Sequence, residues 1–210
     1  MTEARVVMAG EVGYFKGGSG FPLRFQGRKS GELPFFKVSD MNSPGNEQFM
    51  RTANNYISEA VRKRMGAVRI PAGAIVFAKV GAAVFLERKR ILAQDSCIDN
   101  NMSAFIVDLA EVDVRFAHYL LSDFKLGDLA ATTALPSLNG GQLRSVPLRL
   151  PGLAEQREVV DALRSADDLT RSIELIIAKK RAIKQGMMQE LLTGRTRLPG
   201  FAGEWHTQGS

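Results

Sequence analysis

Residues 153–193 read LAEQREVVDALRSADDLTRSIELIIAKKRAIKQGMMQELLT, with no proline and a single glycine, Gly186. Apolar side chains recur here every three or four residues, which is the spacing of one face of an α-helix. The spacing predicts one helix roughly 60 Å long, at about 1.5 Å per residue. Gly194 is a natural stop for it, and Pro199 prevents the helix from resuming.

Such a helix is longer than the preceding residues need to cover one core, so its apolar stripe must find a partner helix. The partner lies in another domain or in another chain. The alternative is a helix that lies along its own domain. The residues predicted to form the pairing surface are Leu163, Leu169, Ile173, Ile176, Ile177, Ile183, Met187 and Leu191.

The residues before this helix differ in pattern, because short apolar runs are broken by Gly, Pro and Asn. Two prolines between Val146 and Gly152 disfavour helix and mark a boundary. The predicted divisions are therefore 1–152 for a first domain, 153–194 for the long helix and 195–210 for a C-terminal tail.

Local patterns within the first domain predict a mixture of strands and short helices. Strands are expected at 34–39, 74–80 and 104–107, with 82–86 as the return strand of a hairpin. Asp113 is placed to cap a helix, because apolar residues follow it at helical spacing. The fold class expected is α+β: a bent, mostly antiparallel sheet domain with short helices, followed by a long C-terminal coiled-coil helix.

Composition limits the classes of function. The 210 residues are 45% hydrophobic and 24% charged, which is a globular balance. No segment approaches the ~20 apolar residues of a membrane helix, and no signal peptide is evident, so a cytoplasmic protein without a membrane partner is expected. One cysteine and two distant histidines predict neither a disulfide framework nor a metal site. The net charge of +6 favours an anionic partner, nucleic acid before a membrane surface.

The sequence does not complete any of three catalytic patterns, so none predicts a catalytic centre. Gly17–Gly20 is followed by Phe21 and Pro22 rather than by a helix, which indicates a turn and not a dinucleotide loop. Glu87-Arg88-Lys89 resembles half of a metal-dependent nuclease site but lacks an upstream Pro-Asp pair. Asn-Pro-Pro and Asp-Pro-Pro, the base-holding motifs of amino-methyltransferases, are absent. No catalytic residue and no cofactor is therefore expected in this chain.

Basic and polar residues are the remaining candidates for function. Two clusters suit phosphate contacts, although each could equally be a solvated face: Arg62, Lys63, Arg64 and Arg88, Lys89, Arg90. Amide and hydroxyl side chains on loops suit the reading of base edges, although they could equally cap turns. These candidates are Asn100, Asn101, Thr133, Ser137 and Asn139.

The order of several segments resembles the specificity subunits of type I restriction-modification enzymes. The opening of a target-recognition domain is similar to segments 17–19, 31–41 and 56–58. The block that follows it in the family is similar to segment 70–78 with Gly81. Segments 135–139, 146–148 and 153–157 are similar to the block that closes the domain and enters the conserved helix. The helix exit at 184–194 is the most specific match.

The resemblance implies a chain that chooses the DNA sequence and does no bond chemistry. Double-stranded DNA would be read through the major groove. Methyltransferase subunits, which carry S-adenosylmethionine, would dock on the helices, and a motor-nuclease subunit would join them for cleavage. The family has two such units in tandem and this sequence has one, so antiparallel pairing of the helices in a homodimer is expected. The alternative function is a stand-alone basic DNA-binding regulator with a dimerising coiled coil.

Overall fold

The computed structural model describes residues 4–130, residues 136–200 and Gly203. Internal contacts divide the chain into two units, Met1–Val160 and Asp161–Ser210. Among the described residues, no helix is both long enough and apolar enough to cross a membrane. The first unit contains the sheets that position the candidate site.

The strands and helices of the described residues follow one another along the chain. The strands are β1 (Arg5–Met8), β2 (Gly13–Gly17), β3 (Leu33–Phe36), β4 (Phe49–Met50), β5 (Tyr56–Ile57), β6 (Ile75–Ala78), β7 (Lys89–Leu92), β8 (Cys97–Ile98), β9 (Met102–Val107) and β10 (Pro147–Leu150). The helices are α1 (Glu59–Met65), α2 (Val114–Asp123), α3 (Gly140–Arg144) and α4 (Leu153–Leu192).

A five-stranded sheet of order β2-β9-β6-β7-β4 is the centre of the first unit. Its pairs are antiparallel except β4 with β7, which is parallel. Both faces are covered, since alternate residues of β6 enter different clusters: Ile75 and Phe77 pack with α2, and Val76 packs with Phe36 and Met41. This two-sided burial explains why β6 is an unbroken apolar run.

Two smaller sheets complete the unit. β1 pairs with β10, and β3 lies between β5 and β8. The mixed, mostly antiparallel sheets and the long C-terminal helix confirm the predicted α+β fold class. The Asp113 carboxylate accepts hydrogen bonds from the backbone N–H groups of Arg115 and Phe116, so it caps α2 as predicted.

The predicted return strand at 82–86 is wrong. Ala82–Leu86 forms a 3-10 helix, entered through Gly81 at φ 77° and left through Glu87 at φ 51°. Both positive φ values turn the chain sharply, which an extended strand cannot do. The strand that pairs with β6 starts three residues later, at Lys89.

The single cysteine supplies a reporter of folding. Cys97 lies on β8 with its side chain buried, and burial raises the pKa of its thiol to about 11. The thiol therefore stays protonated and inaccessible at neutral pH. We expect native protein to react slowly with a chromogenic disulfide reagent and denatured protein to react fully. A fast stoichiometric reaction of the native protein would contradict this burial.

Candidate nucleic-acid interface

Four loop segments meet at one end of the five-stranded sheet. Because β2, β9, β6 and β7 alternate in direction, the end of β2, the start of β9, the end of β6 and the start of β7 lie side by side. We call this the loop end, and its segments are 17–19, 79–88, 99–101 and 136–139. The backbone of Lys79 connects three of the four segments. Its N–H donates to the Asn101 carbonyl at 2.8 Å, and its carbonyl accepts from the Leu138 N–H at 2.9 Å.

Gly18 holds the first of these segments against the third. A Cβ on Gly18 would lie 1.9 Å from the Asp99 carbonyl oxygen, so only glycine allows this approach. The hydroxyl of Ser19 accepts a hydrogen bond from the Val68 N–H at 2.9 Å. The glycine run is therefore packed backbone that ends β2 and bridges to Asp99, so the predicted turn is wrong; no α-helix follows it directly, as a dinucleotide loop would require.

The Asp99–Asn101 turn presents one free amide. Asp99 is buried, burial raises the pKa of its carboxyl group, and its Oδ1 accepts from the Asn101 N–H at 2.9 Å. Asn100 is exposed, and its side chain makes no hydrogen bond within the described part of the chain. Asn100 is therefore the candidate whose donor and acceptor are both available to a base.

The remaining base-reading candidates differ in their surroundings. Ser137 is exposed at the loop end, where it forms an isolated bridge with Val80. Asn139 caps α3, because its Oδ1 accepts from the Gln142 N–H at 2.9 Å, so only its amide donor remains free. Thr133 lies outside the described residues.

The cluster Arg62, Lys63 and Arg64 forms the last turn of α1. Arg62 is committed within the chain: its guanidinium binds the Glu59 carboxylate at 2.7 Å and donates to the Ala67 carbonyl at 2.7 Å. Lys63 and Arg64 are exposed. Two of these three cations are therefore open to a phosphate.

The cluster Arg88, Lys89 and Arg90 is divided by the alternation of β7. Lys89 faces the core, where its Nζ forms an ion pair with the Glu87 carboxylate. The same Nζ donates to the Phe124 carbonyl at 2.9 Å. This burial removes Lys89 from the predicted phosphate contacts. Arg90 is half-buried, and burial lowers the pKa of its guanidinium. Arg88, the third member, is half-buried at the loop end.

The acid and the lysine of the nuclease-like motif satisfy each other. Burial raises the pKa of Glu87, but the hydrogen bonds from Lys89 and from the Gly127 N–H outweigh it and hold the pKa below its ordinary value. The same carboxylate accepts from the Leu126 N–H at 3.1 Å. Among the described residues, no group of three or more His, Cys, Asp or Glu could hold a metal ion. The pair thus fastens the 124–127 turn to β7.

Lys79 is a loop-end cation that the sequence patterns did not single out. It follows an apolar strand directly, and its Nζ lies 3.1 Å from the position of a Cβ on Gly17. Within the described residues its ammonium has no carboxylate partner. The available signal was its position at the end of a buried strand, where a lysine emerges into solvent.

Known proteins share both the sequence pattern and the fold. Residues 1–185 match the model of the type I restriction modification DNA specificity domain. The fold is similar to a chain described in work on complex assembly and conformational transition of the type I R-M system (TM-score 0.70, 17% identity). It is also similar to the HsdS subunit from Thermoanaerobacter tengcongensis (0.62, 18%) and to the type I restriction-modification S subunit from M. genitalium (0.57, 13%).

These structural matches cover most of this chain but less than half of each solved chain. They cover 89%, 89% and 90% of this chain but only 44%, 44% and 46% of the solved chains, so this chain spans less than half their length. At such identities the likeness shows the fold. The family match covers most of the chain, and the chain belongs to the family of type I restriction modification DNA specificity domains.

Proposed function

We propose that this chain is the DNA-recognition chain of a type I restriction-modification system and reads one half-site of a duplex target at its loop end. The observation that carries the proposal is the meeting of Asn100, Ser137, Lys79 and Arg88 on neighbouring loops of one sheet. Their chemistry combines free amide and hydroxyl groups with cations. Duplex DNA needs both kinds of group, because cations hold phosphates and neutral polar groups read base edges.

Bond chemistry belongs to partners in this proposal. Glu87 and Lys89 are committed to folding contacts, which leaves the nuclease-like motif without a free acid and lysine. Methyltransferase subunits would hold S-adenosylmethionine and dock on this chain, and a motor-nuclease subunit would join for cleavage. We expect the purified chain alone neither to methylate nor to cut DNA with S-adenosylmethionine, ATP and Mg²⁺ present. Methylation of the target on addition of the methyltransferase subunit would separate this function from that of a stand-alone regulator.

Helix α4 provides the surface for self-pairing. Every residue from 161 to 190 is exposed, including Leu169 at 63% and Ile176 at 58%, so the apolar stripe is uncovered in the single chain. An uncovered stripe of this length favours association with a second helix. We propose that a second copy of this chain covers it.

The charges of α4 favour an antiparallel arrangement of the two copies. Residues 155–174 include six acidic and three basic side chains, whereas residues 175–192 include four basic and one acidic. Antiparallel pairing places each acidic half beside the basic half of the other copy, and parallel pairing places like charges together. With Leu163 opposite Leu191, Glu174 of one copy lies level with Lys180 of the other. Two identical half-sites would then form a symmetric target.

The proposal predicts that base-reading and phosphate-binding residues respond differently to substitution. Asn100→Ala should weaken binding to the target by about 1–3 kcal/mol and leave binding to a scrambled duplex unchanged, because an amide adds no charge. Arg88→Ala, or Lys63→Ala with Arg64→Ala, should weaken binding to both duplexes and reduce the log–log salt slope by about 0.9 per lost contact. Titrations of both duplexes at two salt concentrations measure these effects.

Gln94→Ala is the matched control for Asn100→Ala. Gln94 is an exposed amide that follows β7 at the end opposite the loop end, so its removal should change neither affinity. If Asn100→Ala and Gln94→Ala gave the same ratio of target to scrambled binding, the assignment of base reading to the Asp99–Asn101 turn would be wrong.

A further inference from the structure

A groove of about 610 Å³ lies at the end of the five-stranded sheet opposite the loop end. Its walls come from the end of β7, from the residues around β4 and from the first turns of α2 and α4. Phe49 and Leu153, both half-buried, supply apolar surface, and Leu109 at its rim is 68% exposed. Exposed apolar surface inside a concave site is typical of a surface that binds a partner.

Three arginines line the same groove. The guanidinium carbons of Arg51 and Arg115 lie 5.2 and 5.1 Å from the centre of the Phe49 ring, so they are at most about 10 Å apart. Arg157 on the first turns of α4 is the third. Within the described residues, none of the three has a carboxylate within ion-pair distance.

One acid shares the groove with the arginines. Asp113 lines it, and its Oδ1 accepts from the N–H groups of Arg115 and Phe116 at the start of α2 rather than from a guanidinium group. The groove therefore combines an apolar floor with three guanidinium groups and one carboxylate, which leaves it a net positive charge. Arginine and aromatic side chains together are typical of the centre of a protein–protein interface. A DNA phosphate would contact the arginines but would gain nothing from the apolar floor. An aromatic protein segment that carries a carboxylate fits this chemistry.

Antiparallel pairing of α4 brings such a segment to the groove. With Leu163 opposite Leu191, Leu192 of the second copy lies level with Ala162, and the residues after it run towards the level of Leu153 and Arg157. That tail contains the apolar and aromatic residues Leu198, Phe201 and Trp205, and Glu204 is the acid among them; Arg195 and Arg197 precede this segment.

We propose that the segment Leu198–Trp205 of a second copy docks in the groove lined by Phe49, Arg51, Arg115 and Arg157, which rests on the proposed antiparallel pairing. The Glu204 carboxylate accepts charge-assisted hydrogen bonds from the guanidinium groups. Phe201 and Trp205 cover the apolar floor and stack against the arginines. The exchange of two tails reinforces the dimer beyond the helix contact.

Trp205 reports on this docking directly, because it is the only tryptophan of the chain. In the full-length dimer we expect blue-shifted emission and acrylamide quenching severalfold weaker than that of free N-acetyltryptophanamide. Arg51→Glu with Arg157→Glu should shift the emission to the red and restore quenching, while sedimentation still shows a dimer. Both residues are exposed, so the variant should fold.

Arg28→Glu with Lys29→Glu is the matched control, since both residues are exposed elsewhere and the change in net charge is the same. This control should leave the emission of Trp205 unchanged. Adding Glu204→Arg to the groove variant should recover part of the protection, because it restores opposite charges.

Sedimentation separates failure of the docking from failure of the pairing. A wild-type dimer in which Trp205 is quenched as readily as the free tryptophan analogue would overturn the docking alone. A wild-type monomer at tens of micromolar would overturn the pairing and the docking with it. Loss of duplex binding in Arg51→Glu with Arg157→Glu, without any change in Trp205 emission, would assign the groove to DNA instead and overturn the proposal.

Discussion

Replacing Ile173 and Ile177 by Asp should convert the dimer into monomers. Both side chains lie on the apolar stripe of α4 and are exposed in the single chain, at 48% and 45%. Burying the exposed half of each isoleucine in the dimer contributes about 0.7–1.5 kcal/mol, and a symmetric dimer buries four of them. The double variant should therefore raise the dissociation constant of the dimer by at least about 10²-fold. Analytical ultracentrifugation measures the change.

Leu175→Asp is the matched control for this experiment. Leu175 is 66% exposed, but at 100° per residue it lies on the side of α4 opposite Ile173 and Ile177. It should leave the dimer intact. If Leu175→Asp dissociated the dimer as strongly as the double variant, the pairing surface would be assigned to the wrong face of the helix.

Replacing Lys89 by Met should strongly lower the stability of the first unit. The Lys89 ammonium is buried and joins the Glu87 carboxylate to the Phe124 carbonyl. Removing one partner of a buried ion pair leaves the other uncompensated, at a cost of about 3 kcal/mol, or about 6–12 °C in Tm for a unit of this size. Thermal and urea unfolding measure the loss.

Two variants show whether the ion pair is the cause of that loss. Arg88→Met removes the neighbouring cation, which has no ion pair within the described residues, and should change stability by less than about 0.5 kcal/mol. Combining Lys89→Met with Glu87→Gln should recover part of the loss, because no uncompensated charge remains. Equal destabilisation by Arg88→Met and Lys89→Met would contradict a structural role for the pair.

Lys89→Met should also change how the free energy of unfolding falls at acid pH. The pKa of Glu87 is held below its ordinary value in the folded chain, so its contribution is present above the pKa of the unfolded chain and is lost as the pH falls through the folded value. Without Lys89, burial remains as the opposing effect. Lys89→Met should therefore lose less stability than the wild type between neutral and acid pH.

Features set by neighbouring residues could be predicted from the sequence. The apolar spacing of 153–193 predicts helix α4, which the structure places at Leu153–Leu192. Asp113 caps α2 because a cap depends only on the next few residues. The buried run around Ile75–Ala78 predicts β6 for the same reason.

Features set by distant contacts could not be predicted. β1 pairs with β10 across most of the first unit, and nothing local indicates that register. Lys89 looks like part of a surface cluster because its partners, Glu87 and Phe124, meet it only after the chain folds. The groove could not be predicted for the same reason, because Arg51, Arg115 and Arg157 are far apart in the sequence and line one groove in the fold.

The most direct test of sequence recognition is selection of duplexes from a randomised pool by the purified dimer, followed by titration at fixed salt. We expect enrichment of one sequence made of two identical half-sites in opposite orientation, separated by a spacer of constant length. That duplex should bind at least about 10³-fold more tightly than its scrambled version. A pool without an enriched sequence, or equal affinity for the selected and scrambled duplexes, would contradict it.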